Sequence, residues 1–297
     1  MPRTTLALTS FVSGEFSPKM DGRTDFEKYS SGAKTLENFL VHPQGAATRR
    51  VGTQYISEVK SSAAKTRLIP FEFSTTQTYI LEFGNTYIRF YKDKGQILSS
   101  GSAYEISSPY LTAELFDIKF AQSADVMYIT HPNHEVMKLS RTGHTSWTLA
   151  EVDFTDGPYL ATNSTTTTLT PASAGVATGV NITASAVTGI NGGAGFLATD
   201  VGRIISFNGG KAKITARTST TVVVCTITTA FTNTNATAAF NLGAFSDTTG
   251  HPSCVSFFEQ RLVFAGTTDE PQTLFFSKAG DYENMTTGTN ADDAMVY

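Results

Sequence analysis

His131 and His134 stand at a spacing that could put two imidazoles on one metal ion. Pro132 places them in a turn, and no third ligand type clusters beside them, so no metal site is expected. Glu72, Glu82 and Glu105 are the acids that a glycosidase pair on a β scaffold would draw on. That chemistry needs a set carboxylate separation, and acids on strands ordinarily face solvent. Gly209-Gly210-Lys211 is too short for a phosphate-binding loop and lacks the Ser or Thr that would follow the lysine. There is no G-x-S-x-G elbow for a nucleophilic serine. Arg49-Arg50 can bond DNA phosphates or the carboxylates of a neighbouring subunit. The small net charge of −4 favours the second. Cys225 and Cys254 are too few for a disulfide framework and read as two buried free thiols of a protein made in a reducing cytoplasm. No catalytic residue, cofactor or metal is therefore expected, and the chain reads as a non-enzyme.

The elements around these residues are strands. Aromatic residues make up 11% of the 297 residues and charged residues only 16%, with 24 glycines, a composition that suits a turn-rich β protein. Alternating or β-branched runs predict strands over 67–74, 78–83 and 86–91, with a tight turn at Gly84-Asn85. Further strands are predicted over 118–125, 126–130 and 136–139. The phrases IKFAQSADVMYITHP (118–132) and VSFFEQRLVFAGTTDEP (255–271) share one plan: strand, polar break, strand, then a turn with proline. Residues 71–91 are a looser third copy. Such meanders predict an all-β, incomplete or irregular β-propeller-like body, with an ordinary β-sandwich as the alternative. A blade takes about 40–50 residues, so four blades at most are present. The body is expected over 54–158 and again over 248–297, where it breaks off inside a strand at Asp292–Tyr297, as a shortened form or an N-terminal portion would.

Residues 159–247 differ in kind. Asp200, Arg203, Lys211, Lys213 and Arg217 are the only charges before Asp247, and Thr, Ala, Asn and Gly dominate. Strand signals at 180–184, 203–207, 212–216 and 222–228, with hairpin turns expected at Gly192-Gly193 and Gly209-Gly210, predict a small inserted β-barrel or sandwich. The chain should enter it near Pro158 and leave near Gly250, with the two ends close together.

The first 53 residues read as a tether. Asp25 is a candidate cap for a helix over Asp25–Leu40 that Pro43 stops, with Phe26, Tyr29, Leu36, Phe39 and Leu40 as its apolar stripe. Gly32 weakens the middle of that helix by roughly 1 kcal/mol. The N-terminal stretch MPRTTLALTSFVSGEFS is no convincing signal peptide, and no run approaches the ~18 apolar residues of a membrane span.

This block also carries an ordered set of short motifs: GE-x-SP (14–18), DGR-x-D-x-x-x-Y (21–29), K-T-x-x-N-F (34–39), P-x-G (43–45) and RR-x-GT (49–53). A second set lies at 250–284: G-x-P-x-x-V-x-F-x-x-x-RL-x-F-x-G, P-x-T-x-x-x-S, then GDYEN. Together they resemble the tail nozzle proteins of short-tailed bacteriophages and related prophages, the tail tubular protein B-like or DNA-stabilisation-like family. The resemblance covers most of 11–160 and 248–297. It implies a structural protein of the virion tail, assembled in the bacterial cytoplasm as a ring, hexameric in the family, that forms the distal DNA-exit conduit and holds packaged DNA until ejection. Implied partners are copies of itself, the tail adaptor ring and tail fibres or spikes, with double-stranded DNA passing through unread. The implied docking residues are Arg23, Asp25, Tyr29, Asn38, Phe39, Arg49 and Arg50. Charge is uneven: residues 1–67 hold ten Lys/Arg against six Asp/Glu, a balance of +4, and the remainder twelve against twenty, a balance of −8. An acidic wall would let DNA slide rather than grip it, and ordinary surface variation would give the same split. A carbohydrate-binding or adhesive β protein is the alternative function, and a glycan-degrading propeller enzyme a third.

Overall fold

Alternation decides the first sheet. In Arg67–Glu72 (β5), Ile69 and Phe71 point inward, while Leu68, Pro70 and Glu72 do not. The computed structural model describes residues 7–297 and is nearly all β, 42% strand and 5% helical, with no helix of seven residues or more. Residues 1–6, part of the expected 1–53 tether and of the stretch read above as no signal peptide, lie outside the described residues. The chain divides into two compact units, Met1–Ile56 and Ser57–Tyr297.

The first unit holds four very short strands, Gly14–Glu15 (β1), Gly32–Ala33 (β2), Phe39–Val41 (β3) and Ala47–Arg49 (β4). The first two pair in parallel and the last two form a hairpin. The expected helix over Asp25–Leu40 is not formed. Only a 3₁₀ turn, Glu27–Ser31, stands there, and Phe26 rather than Asp25 occupies its cap position, with no side-chain bond. Three contacts account for this. Gly32 lies so close beneath the Phe16 ring that a Cβ would come within 2.1 Å of it, fixing Gly32 in a strand. The Leu36 N–H donates to the Glu15 carboxylate at 2.7 Å instead of to a helical carbonyl. Asn38 takes a positive φ of 63°, which turns the chain into β3. An isolated helix of this length is marginal without tertiary packing, and among residues 7–56 no apolar side chain is buried.

In the second unit, β5 pairs with Thr78–Gly84 (β6), which pairs with Tyr87–Lys92 (β7). Short strands Gly95–Gln96 (β8), Leu98–Ser99 (β9) and Ser102–Ala103 (β10) lead to Glu105–Ser107 (β11), which returns to the far edge of β7. The β6–β7 turn lies at Asn85-Thr86 rather than Gly84-Asn85, with Thr86 at φ 63°. Gly84 is needed for a different reason: a Cβ there would sit 2.1 Å from the Tyr87 ring. A second antiparallel meander follows in strict order, Lys119–Ser123 (β12), Val126–His131 (β13), His134–Gly143 (β14) and Ser146–Glu151 (β15).

Residues 159–247 form a sheet of their own. Leu169–Pro171 (β16), Val180–Ala184 (β17), Ile204–Phe207 (β18), Gly210–Arg217 (β19), Val222–Thr229 (β20) and Phe240–Leu242 (β21) pair only with one another, in the order β16-β17-β20-β19-β18-β21. Asn208-Gly209 closes the β18–β19 hairpin, whereas Gly192-Gly193 lies in a 3₁₀ turn and closes none. A core of sixteen buried residues from Leu169 to Leu242 belongs to this sheet alone. Its ends meet as expected: Leu160 donates to the Leu242 carbonyl at 2.8 Å, and Tyr159 bridges Gly243. Just past this seam, Ala244 and Phe245 pack into the neighbouring core beside Phe264 and Phe275.

A third meander closes the chain with Cys254–Phe258 (β22), Arg261–Ala265 (β23), Leu274–Phe276 (β24) and Met295–Val296 (β25). The middle strand β13 links all three meanders. Its Met127 and Ile129 join Phe71, Leu81 and Phe90 of the first sheet, and its Tyr128 joins Leu262, Phe264 and Phe275 of the third. Trp147 of β15 sits 4.5 Å from the Phe90 ring, 4.8 Å from Phe71 and 5.2 Å from Tyr79. Trp147→Ala should therefore lower stability by about 3–5 kcal/mol, read as a fall in the urea midpoint. Excising 163–240 with a short glycine linker should leave a soluble chain that keeps hydrogen-exchange protection in β5–β7, β12–β15 and β22–β24.

Candidate functional site

The residues implied as docking contacts fall into two groups. Arg23 and Asp25 bond each other through two parallel bonds of 2.8 Å, both side chains being exposed. The Tyr29 ring stacks on Phe16 at 5.8 Å, and its hydroxyl accepts the Gly22 N–H. Asn38, Phe39, Arg49 and Arg50 belong to the β3–β4 hairpin. Arg50 clasps it: the guanidinium Nε donates to Asn38 Oδ1 at 2.7 Å, and the Arg50 N–H donates to the Asn38 carbonyl at 2.9 Å. Arg49 pairs in register with Phe39, and no side-chain bond or ion pair engages it among the described residues. Arg50 is thus part of the fold, while Arg49 and the half-exposed Phe39 face outward.

The acids considered for glycan chemistry are committed elsewhere. Glu82 is fully buried at the end of β6, where Tyr87 Oη donates to it at 2.7 Å, with Tyr91 Oη and the Lys60 N–H as further donors. Burial and this carboxylate push the Tyr91 hydroxyl up to about 12. Glu105 is held by Lys60 at 2.6 Å and Arg89 at 3.0 Å, and the Lys60 ammonium draws its carboxyl below the ordinary range. Glu72 lies exposed at the end of β5. Three acids with these partners do not make an acid and a base facing one ligand.

A carboxylate pair does exist where no motif pointed. Glu135 at the start of β14 and Glu151 at the end of β15 line one recess of about 90 Å³. Lys213 and His251 also line it. Burial first, then the Glu151 carboxyl, push Glu135 up to about 7, and Lys213 opposes the rise. Nothing in the order of the residues reveals this pair. It follows from the register, in which Glu151 stands opposite Met137, two positions beyond Glu135.

The histidine pair also differs from its expectation. Glu114, from the loop before β12, brings a third ligand type to His131 and His134, and the ligand atoms of the three lie within 4.8 Å of one another. The expectation that no third ligand type is near is corrected by the fold. The sequence separation of twenty between Glu114 and His134 hides the contact from sequence reading. In the inserted sheet, Arg203 and Asp200 form an ion pair of 2.9 Å at 1% exposure each. Arg203 also donates to the Gly243 carbonyl at 2.7 Å and to Asn191 Oδ1 at 2.7 Å, which makes it a structural strut.

Comparison with known families finds no family model that matches the chain, and comparison with curated proteins finds no match either.

Glu135 gives a pH signature. Its folded value of about 7 lies above the ordinary 4.5, so between those values the folded chain holds a proton that the unfolded chain has released. Stability then falls as pH rises through that window. Glu135→Gln should remove the fall: its urea midpoint should exceed that of the unaltered chain above about pH 7 and match it below about pH 4.5.

Proposed function

We propose that the chain is a non-enzymatic structural subunit of a bacteriophage tail nozzle, in which several copies close as a ring around the DNA exit. The observation that carries this reading is the first unit, taken with the motifs it holds. Among residues 7–56 no apolar side chain is buried, yet Phe26, Phe39, Leu40, Val51, Tyr55 and Ile56 are exposed. A segment with this surface and no core of its own is stabilised by a partner. Its short motifs are those that resemble the nozzle family, and Arg49 offers a free guanidinium for a partner carboxylate.

The body supports the same reading. Three antiparallel sheets, the second and third of consecutive neighbours and the first with β11 returning beside β7, stack so that the middle one is covered on both faces. In this reading they are three blades of an incomplete β-propeller, with the six-stranded sheet inserted between the second and third. A ring of such subunits is built from one heterologous contact repeated by rotation, six times by the resemblance. The tether docks on the adaptor ring or the adjacent subunit, and the inserted sheet stands where fibres or spikes can meet it. DNA is conducted without being read, consistent with the −8 balance beyond residue 67.

Electron microscopy of purified particles should place the chain in a closed ring at the distal end of the tail, and its presence there only as isolated monomers would refute the reading. Replacing Arg49 and Arg50 by Ala should cut the yield of assembled tails at least tenfold. The urea midpoint of the second unit should change by no more than about 0.5 kcal/mol equivalent. Arg49→Ala alone isolates docking from the Arg50 clasp, and fully infectious particles from both variants would exclude the docking role.

A further inference from the structure

We propose that Glu114, His131 and His134 form a binding site for one divalent transition-metal ion, of which zinc is the best fit. One ring nitrogen of each histidine and one oxygen of Glu114 already lie within 4.8 Å of one another. Two imidazoles and a carboxylate are a donor set for zinc and its first-row neighbours, whereas calcium and magnesium select oxygen. Three protein ligands leave the fourth position of a tetrahedral ion open.

The geometry is held from outside the cluster. Glu114 Oε2 accepts the Leu111 N–H at 2.8 Å and lies 2.9 Å from His134 Nε2. The two histidines face each other across the β13–β14 turn, paired in register just past an irregularity in the ladder, with ring centroids 5.0 Å apart. The Tyr110 ring packs edge-on against His134 at 5.3 Å. Ligand atoms bound to one tetrahedral zinc stand about 3.4 Å apart, from metal–ligand bonds of about 2.0–2.1 Å. The 2.9 Å contact must therefore open by about half an ångström, and the longest separation must close by at most about 1.4 Å from 4.8 Å.

A second observation points to a ligand independently. His131 is 1% exposed, and its Nε2 is buried with no hydrogen-bond partner. The Tyr110 hydroxyl is likewise buried and unpartnered. Buried polar atoms ordinarily have partners, and the ones that lack them are where an ion or ligand group belongs. Of the five unpartnered buried side-chain atoms among the described residues, four belong to Ser108, Tyr110, Thr130 and His131, the residues that lead into Glu114 and His134 in the chain.

Protonation sets one condition on loading. His131 Nδ1 accepts the Asn133 N–H at 3.1 Å, so in the metal-free form the ring carries its proton on Nε2. An ion bound at Nε2 moves that proton to Nδ1, where it faces the Asn133 N–H. An ion bound at Nδ1 displaces the N–H directly. By either route the Asn133 amide must release the ring, so its environment reports occupancy.

The test uses the full chain with Cys254→Ser: Cys225 is buried as expected, but Cys254, against expectation, is exposed, and the substitution removes its thiol as a competing ligand. Titration calorimetry with zinc should show one ion per chain, and cobalt should give the absorption of a nitrogen and oxygen site of low coordination number. Glu114→Gln and His134→Gln, both at partly exposed positions, should each weaken binding at least tenfold with unchanged circular dichroism. Zinc should shift the Asn133 amide resonance in the Cys254→Ser chain, a readout that needs no ligand variant to fold. Absence of saturable zinc binding, full affinity in both ligand variants, or an Asn133 amide unmoved at saturation would each overturn the site.

Discussion

Coverage of β13 on both faces is the constraint on which the body depends. A strand with one solvated face tolerates local error, because a misplaced side chain can turn to water. Here Met127 and Ile129 fill one core and Tyr128 the other, so a shift of one residue would exchange the contents of two cores at once. Its first four residues, Val126 to Ile129, read as an apolar run for the same reason. Its register fixes its neighbours as well: it sets where β14 begins, and hence where His134 and Glu135 stand.

The two units obey different physics. In the second, aromatic rings interlock around Trp147, and the sheets hold one another without help. In the first, order comes from single contacts: a stack of Phe16 on Tyr29, a carboxylate on the Leu36 N–H, a guanidinium on Asn38. Such contacts select a conformation more than they stabilise it, because each exposed bond is exchanged against water at little net gain. A segment of this kind holds its shape best when another surface completes it.

Strands were legible wherever alternation or β-branching was strong, as in β5, β6, β7, β17 and β20, and the polar break at Glu259-Gln260 is the turn it suggested, with both residues at positive φ. The helix over Asp25–Leu40 was misread because an apolar stripe is a statement about burial, and this segment buries nothing. The sites were less legible than the strands. Glu114 reaches His134 across twenty residues, and Glu135 meets Glu151 through a pairing register. Neither separation carries a motif, since loops and registers are set by packing elsewhere in the chain. Arg203 was visible only as one of five charges in a neutral stretch, and its burial followed from a carbonyl forty residues away.

Where the inserted sheet joins the body, Asn241 Nδ2 donates to the Leu160 carbonyl at 3.1 Å and to Thr162 Oγ1 at 2.9 Å, so the outgoing and returning chains run side by side. To the body, everything beyond that seam is topologically a single long loop. Lengthening a loop adds closure entropy only as the logarithm of its length, about 0.6 kcal/mol per doubling. The body is thereby tolerant of the length of what it carries at this point, though not of every residue in it: Lys211 of the inserted sheet reaches Asp156 at 3.1 Å, and Lys213 lines the recess of Glu135 and Glu151. A module of another length could close the same seam, provided it supplied cations in place of those two lysines.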